Sequence, residues 1–140
     1  MNSMPHLPEI PQSEGQWFDA LVALARYLRT PDGCPWDREH TASDFARYAG
    51  EEAAELTEAI EEGDDAHIEE EWGDTLFTLL ATLAAAEEEG RFTLRHALEV
   101  THEKMIRRHA HIFGEHEAST PEEVARVWED VKAREKSGDV

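Results

Sequence analysis

The chain has 140 residues and a formal net charge of −19, from 32 acidic and 13 basic residues. Hydrophobic residues make up 40% of it, which excludes a disordered chain, and no apolar run reaches the ~18 residues of a membrane span. The acidic balance argues against nucleic-acid and membrane partners, because binding nucleic acid depends on Lys and Arg displacing counterions. A polyphosphate ligand would need a metal ion or a local basic patch.

Start and stop signals predict an all-α antiparallel bundle of about five helices. Residues 1–12 are expected to form a flexible arm, and residues 13–137 a single domain. The first helix follows a capping box in which Gln16 reaches back. The other predicted helices run from about 41 to 62, from about 64 to 90, from about 93 to 111, and from Thr120 onward, with a loop at 33–37. The single cysteine, Cys34, and the lack of a secretory signal favour a cytoplasmic protein.

Charges interrupt the apolar patterns of the second and third helices. Glu52 falls inside the apolar stripe of the second helix, and Glu55 lies one turn further along. Asp74 is the only charge between residues 72 and 86 of the third helix, so we expect it to be buried, with Glu71 on the same side. Two facing carboxylate pairs suit Mg²⁺ or Mn²⁺. For the ExxE pair alone, an acidic solvated face is the alternative interpretation.

Basic residues cluster in the fourth helix, at Lys104, Arg107 and Arg108. Such a cluster can simply complement the negative end of the helix dipole. Beside a carboxylate metal site, however, it indicates a phosphate clamp. Two tryptophans outside the dense core pattern, Trp36 and Trp128, are candidates for contact with a nucleotide, although packing is the more common use of such residues.

Several segments together resemble MazG-type nucleoside triphosphate pyrophosphohydrolases. The metal motif ExxE, fifteen residues, ExxD stands here as Glu52-Ala-Ala-Glu55 and Glu71-Trp-Gly-Asp74. The supporting segments are GCPWDREHT at 33–41, EEEGRFTL at 87–94, EKMIRRHAHIFG at 103–114, and Trp128 with Lys132. The chain departs from the usual family pattern at Gly50, before the metal pair, where an aliphatic residue is common.

The resemblance implies an all-α fold, a homodimer or dimer of dimers, and cleavage between the α and β phosphates. It implies that Mg²⁺, with Mn²⁺ as a possible substitute, binds the four carboxylates of the motif. Lys104 and Arg108 would contact phosphates, and Trp128 would lie near the nucleotide. The products would be a nucleoside monophosphate and pyrophosphate, in a nucleotide house-cleaning role.

The mechanism we expect is in-line attack of water on a phosphoryl group, with Glu51 or Glu55 as the general base. Two alternatives remain at this stage. One is a pyrophosphatase of the same superfamily selective for dUTP or dCTP, because the motif does not determine the base. The other is a non-enzymatic helical adaptor whose carboxylates hold a structural ion.

Overall fold

Helices dominate residues 10–138, the part of the chain that the computed structural model describes. Seven helices and no strand occur within that range, so the all-α prediction is confirmed. None of these helices combines the length and apolar character needed to cross a membrane. Most of the predicted arm, residues 1–9, lies outside the described range.

The helices fall into two compact units, one ending at Thr93 and one beginning at Leu94. The first unit contains α1 (Glu14–Tyr27), α2 (Pro35–Glu39), α3 (Ala42–Glu62) and α4 (Asp65–Glu88). The second contains α5 (Leu94–Arg108), α6 (Ala110–Phe113) and α7 (Pro121–Ser137).

Two helix boundaries differ from those predicted. The predicted loop at 33–37 contains the start of α2, whose Pro35 lies in the first turn, where its missing N–H removes no helical hydrogen bond. The predicted fourth helix is divided into α5 and α6 at His109, where φ is −98° and ψ is 45°. The His109 ring Nδ1 lies 2.6 Å from the Met105 carbonyl oxygen, so the side chain competes for a helical acceptor.

α3 is capped at both ends. Thr41 accepts from the backbone N–H of Asp44 at 3.2 Å, and the Asp44 carboxylate accepts from the N–H of Thr41 at 2.9 Å. Gly63 ends the helix with φ of 85°, the left-handed conformation that glycine adopts readily. At α1 the Gln16 side chain reaches one residue further back than predicted, to the N–H of Gln12 at 2.6 Å.

α3 and α4 form an antiparallel hairpin. The backbone N–H of Ala42, at the start of α3, donates to Glu89, just beyond α4, at 2.8 Å. Small side chains on α4 allow the two helices to pack closely around one aromatic ring. The core cluster at this end consists of Ala42, Phe45, Ala81, Ala85 and Ala86.

α1 lies beside α4 and runs parallel to it. The C-terminal ends of the two helices are joined by an ion pair of 2.8 Å between Arg26 and Glu87. Towards their N-terminal ends, Trp17 and Trp72 line a shared apolar groove. This direction places α1 antiparallel to α3.

Residues 72–86 of α4 are apolar or small on nearly every side, which predicts a helix buried on most faces, but its first part is less covered than that. The buried residues from Leu80 onward agree with the prediction, but Trp72 is 59% exposed and Leu79 is 51% exposed. The prediction of burial on most faces is therefore wrong for residues 72–79 of α4. Among residues 10–93 no helix covers that surface, which Trp17, at 53% exposure, extends onto α1.

In the second unit, α5 and α7 are joined through charged and aromatic side chains. Glu135 of α7 pairs with Arg107 at 2.7 Å and with Arg108 at 3.0 Å. The ring of Trp128 meets that of His109 edge to face, with centroids 5.2 Å apart. Val127 and Val131 are the buried residues of α7.

Candidate metal centre

The hairpin of α3 and α4 brings three carboxylates together. Glu52 and Glu55 stand one turn apart on α3, and Glu71 faces them from α4. One oxygen from each lies within 4.8 Å of the other two. The i,i+3 spacing accounts for the pair on α3, and the tight turn at Gly63 and Asp64 brings α4 back beside it.

Two oxygens of this cluster are buried without a partner. Oε2 of Glu52 and Oε2 of Glu71 have no hydrogen-bond partner among the described residues, and Glu71 as a whole is 9% exposed. Burial raises the pKa of Glu52 to about 7, and the charge of Glu55 adds to the rise. A buried, unpaired carboxylate is unfavourable unless a proton or a cation neutralises it.

The donor set fits a hard divalent cation. Carboxylate oxygens are the ligands that Mg²⁺ and Mn²⁺ prefer, and buried oxygens without a protein partner are free to coordinate one. Facing helices of a bundle are a known place for such a cluster. Glu52, Glu55 and Glu71 could therefore hold a metal ion.

Asp74 does not have the buried position that its sequence context predicts. It is exposed on α4, because the described helices of the first unit leave that face of α4 uncovered while they bury Glu71. Its charge nevertheless contributes to the raised pKa of Glu52, so it lies near the cluster. The carboxylate that α4 buries is Glu71, which the sequence analysis placed only on the same side of the helix as Asp74.

His67 is a neighbour of the cluster that the sequence analysis missed. Its Nε2 lies 3.3 Å from Oε1 of Glu71, and its Nδ1 lies 3.6 Å from Oε2 of Glu62. The i,i+4 spacing between His67 and Glu71 on a predicted helix was the available signal. The imidazole lies beside Oε1 of Glu71, while Oε2 of the same carboxylate is buried without a partner among the described residues.

An aromatic pocket of about 350 Å³ adjoins the carboxylates. Glu51 and Glu52 border it, so the pocket and the cluster share part of a wall. The rings of Trp36 and Tyr48 lie nearly parallel, with centroids 6.0 Å apart, and Trp36 is 52% exposed. The other lining residues are Leu28, Asp37, Phe45, Phe77, Thr78 and Ala81.

The segment before the pocket is closely packed against the end of α1. The N–H of Cys34 donates to the Leu28 carbonyl at 2.8 Å. A Cβ on Gly33 would overlap the carbonyl oxygens of Tyr27 and Leu28, so the position accepts only glycine without a shift of the backbone. This turn directs the chain into α2 and brings Trp36 to the pocket.

The predicted phosphate-binding residues and Trp128 belong to the second unit. Arg107 and Arg108 share Glu135, and their hydrogen bonds and charges hold the pKa of that carboxyl below its usual value. Nε of Arg108 and Nε1 of Trp128 are buried without a hydrogen-bond partner in residues 10–138. Lys104 is half-buried one turn earlier on α5.

In the first unit, an all-α fold and a cluster of oxygen donors between facing helices define a class of protein that can hold a metal ion through carboxylates. Comparison with known proteins narrows that class. Residues 40–113 match the MazG nucleotide pyrophosphohydrolase domain. The chain belongs to the MazG family.

Curated relatives agree with this assignment. The nucleoside triphosphate pyrophosphohydrolase/pyrophosphatase MazG of Thermotoga maritima is 41% identical over 87% of this chain and 46% of its own length. The nucleoside triphosphate pyrophosphohydrolase of Escherichia coli K12 is 37% identical over 86% of this chain and 46% of its own length. The chain thus spans about half the length of each of these two relatives.

A solved structure supports the fold. The crystal structure of a mazG-related protein from Thermotoga maritima superposes with a TM-score of 0.69 at 28% identity. The match covers 82% of this chain and 98% of that protein.

Proposed function

We propose that this chain is a Mg²⁺-dependent nucleoside triphosphate pyrophosphohydrolase, which converts NTPs and dNTPs to the monophosphate and pyrophosphate. The observation that carries the proposal is the pair of buried, unpartnered carboxylate oxygens on Glu52 and Glu71, in a chain of the MazG family. Two relatives that it matches along most of its length are named for this activity.

Glu52, Glu55, Glu71 and Asp74 are the proposed metal ligands, with Mn²⁺ as a possible substitute for Mg²⁺. Bound there, the ion would neutralise the charge of the polyphosphate and lower the pKa of the attacking water. The half-buried position of Glu52 and the burial of Glu71 keep these two side chains in place for that role. Asp74, being exposed, can adjust its side chain to the ion.

The proton of the attacking water goes to Glu51 or Glu55 in this proposal. Both are exposed, so either can pass the proton on to solvent. Glu51 also borders the aromatic pocket, and Glu55 belongs to the cluster itself.

Lys104, Arg107 and Arg108 are the proposed phosphate ligands. Glu135 holds the two guanidinium groups in one orientation and offsets their charge until a phosphate competes for them. The buried Nε of Arg108 lacks a partner within the described residues, so a phosphate oxygen that reached it would satisfy this donor.

The aromatic pocket is the proposed site for the nucleoside. Trp36 offers an exposed ring for stacking beside the carboxylate cluster. Trp128 is the second proposed nucleotide contact, because its buried Nε1 lacks an acceptor in the described residues.

We further propose a homodimer or dimer of dimers that works in the cytoplasm in nucleotide house-cleaning. The uncovered apolar surface of α1 and α4, with Trp17, Trp72 and Leu79, supports self-association. The lone Cys34, which is free, suits a reducing compartment.

Product analysis over a panel of NTPs and dNTPs with Mg²⁺ tests the activity. Release of monophosphate and pyrophosphate is expected, whereas diphosphate and phosphate would contradict the proposal.

Glu71→Gln should lower turnover by at least ~100-fold, because loss of a metal ligand removes several kcal/mol of stabilisation of the transition state. Glu58→Gln, an exposed residue on α3, is the matched control and should retain activity.

The same panel separates the alternatives. A base-selective enzyme would turn over dUTP or dCTP much faster than the other nucleotides of the panel. The aromatic pocket beside the carboxylates gives such selectivity a structural basis. A metal-stabilised adaptor would melt at a higher temperature with Mg²⁺ and release no pyrophosphate.

A further inference from the structure

The short helix α2 forms one wall of the aromatic pocket. It has five residues, too few for a helix to be stable by itself, and both Trp36 and Asp37 line the pocket. The position of the Trp36 ring therefore depends on contacts between α2 and the rest of the first unit.

Arg29 makes two of these contacts with one guanidinium group. Its Nη1 donates to the Asp37 carbonyl oxygen at 2.6 Å, and its Nε pairs with Oε2 of Glu88 at 2.7 Å. The side chain is only 9% exposed, whereas that of Glu88 is 56% exposed. Arg29 thus connects the C-terminal end of α4 to the backbone of α2.

Other contacts hold the same segment but do not replace this bridge. Arg38 donates from α2 to the Thr30 carbonyl at 2.8 Å. The His40 ring packs on that of Trp36 with centroids 4.0 Å apart. These two contacts tie α2 to the preceding turn and to its own end. The Trp36 ring also meets the rings of Phe45 and Tyr48 on α3, and Arg29 is the side chain that ties the backbone of α2 to α4.

We propose that Arg29 is a positioning residue for the nucleoside: by holding the Asp37 carbonyl it places Trp36 where the base stacks. This inference rests on the proposed function, because it takes the pocket to bind the nucleoside part of the substrate. In this role Arg29 acts through α2 and contacts neither the base nor the metal. Its loss weakens binding of the nucleoside and leaves the carboxylate cluster unchanged.

Arg29→Met and Arg26→Met form a matched pair of variants. Arg26 lies on the same helix and makes a comparable ion pair, with Glu87 at 2.8 Å. We expect Arg29→Met to raise KM for a nucleoside triphosphate by ~10-fold or more, with kcat changed less than ~3-fold, the pattern of lost substrate binding. Arg26→Met should leave both values unchanged.

Two further measurements separate positioning from a general loss of structure. Inhibition by inorganic tripolyphosphate, which has no nucleoside, should be the same in Arg29→Met and the unmodified protein, as should Mn²⁺ affinity. Arg29→Lys should give an intermediate KM, because one ammonium group does not reproduce the planar fork that reaches both acceptors. Parallel losses in KM, kcat and Mn²⁺ affinity, or an unchanged KM, would overturn the proposal.

The positioning role of Arg29 can be tested even if the chain does not hydrolyse nucleotides. If the unmodified protein releases no pyrophosphate from any nucleotide, binding of a nucleoside monophosphate by equilibrium dialysis replaces KM. Weaker binding in Arg29→Met than in Arg26→Met supports the positioning role even then. Equal binding by the two variants, or none by the unmodified protein, overturns it.

Discussion

Glu52 and Glu71 each bury one carboxylate oxygen that has no partner among the described residues. Such an oxygen requires a proton or a cation, since an ionised carboxylate loses its hydration on burial. Without a cation the proton is favoured, and the pKa of Glu52 rises to about 7 because of its burial and the charge of Glu55. Proton and metal therefore compete for the same group.

This competition makes the stability of the metal-free protein depend on pH. The folded-state pKa of Glu52 lies above its ordinary value of 4.5, so its contribution to stability is full below 4.5 and is lost as the pH rises through 7. We expect the free energy of unfolding in chelator to fall across that interval, as measured by denaturant titration at several pH values.

The neutral variant Glu52→Gln should reduce this pH dependence, while Glu58→Gln should not. Saturating Mg²⁺ should also reduce it, because the ion takes the place of the proton. If the free energy of unfolding changes with pH to the same extent in Glu52→Gln and in the unmodified protein, the Glu52 carboxyl is not responsible for the change.

The sequence predicted a cluster of four carboxylates, of which the structure groups three, but it did not predict which of them is buried. The i,i+3 spacings placed Glu52 with Glu55 and Glu71 with Asp74, and the first three do come together. Spacing along a helix cannot show which of its faces a neighbour covers. For that reason Asp74 was expected in the interior, whereas Glu71 is the residue that α3 and α4 enclose.

At the scale of elements, long periodic helices were predictable and short ones were not. α3 and α4 begin and end close to the predicted residues, because caps and Gly63 mark them locally. α2 depends on a contact with another helix, through Arg29, and the interruption at His109 coincides with a local contact of its ring with the Met105 carbonyl. Nothing in the periodicity of the sequence records such contacts.

Gly33 and Gly50 should respond oppositely to substitution by alanine. A Cβ at Gly33 would overlap two carbonyl oxygens, so Gly33→Ala should destabilise the protein by ~1–3 kcal/mol. Gly50 lies within α3 with nothing inside 4 Å of an added Cβ, so Gly50→Ala should stabilise it by about 0.5–1 kcal/mol. Denaturant midpoints measure both effects, and equal shifts would contradict this explanation.

At the scale of the whole molecule, high charge and exposed aromatic surface are combined. A net charge of −19 opposes association, yet Trp17 and Trp72 are both more than half exposed along an apolar groove. A surface of this kind on a highly charged chain favours a specific contact between copies over general aggregation.

Sedimentation at micromolar concentration should therefore show a dimer or larger oligomer for the unmodified chain. Trp72→Lys should shift the population towards monomer, because it places charge in the apolar groove. Phe92→Lys, at an exposed position outside that groove, is the control and should sediment like the unmodified chain. A monomeric unmodified chain would remove the basis for the proposed oligomer.

The most direct test of the account is the identity of the products formed from a nucleoside triphosphate with Mg²⁺. The carboxylate cluster and the family together predict monophosphate and pyrophosphate, formed by the unmodified chain and by Glu58→Gln but not by Glu71→Gln. Diphosphate and phosphate as products, or full activity in Glu71→Gln, would contradict it.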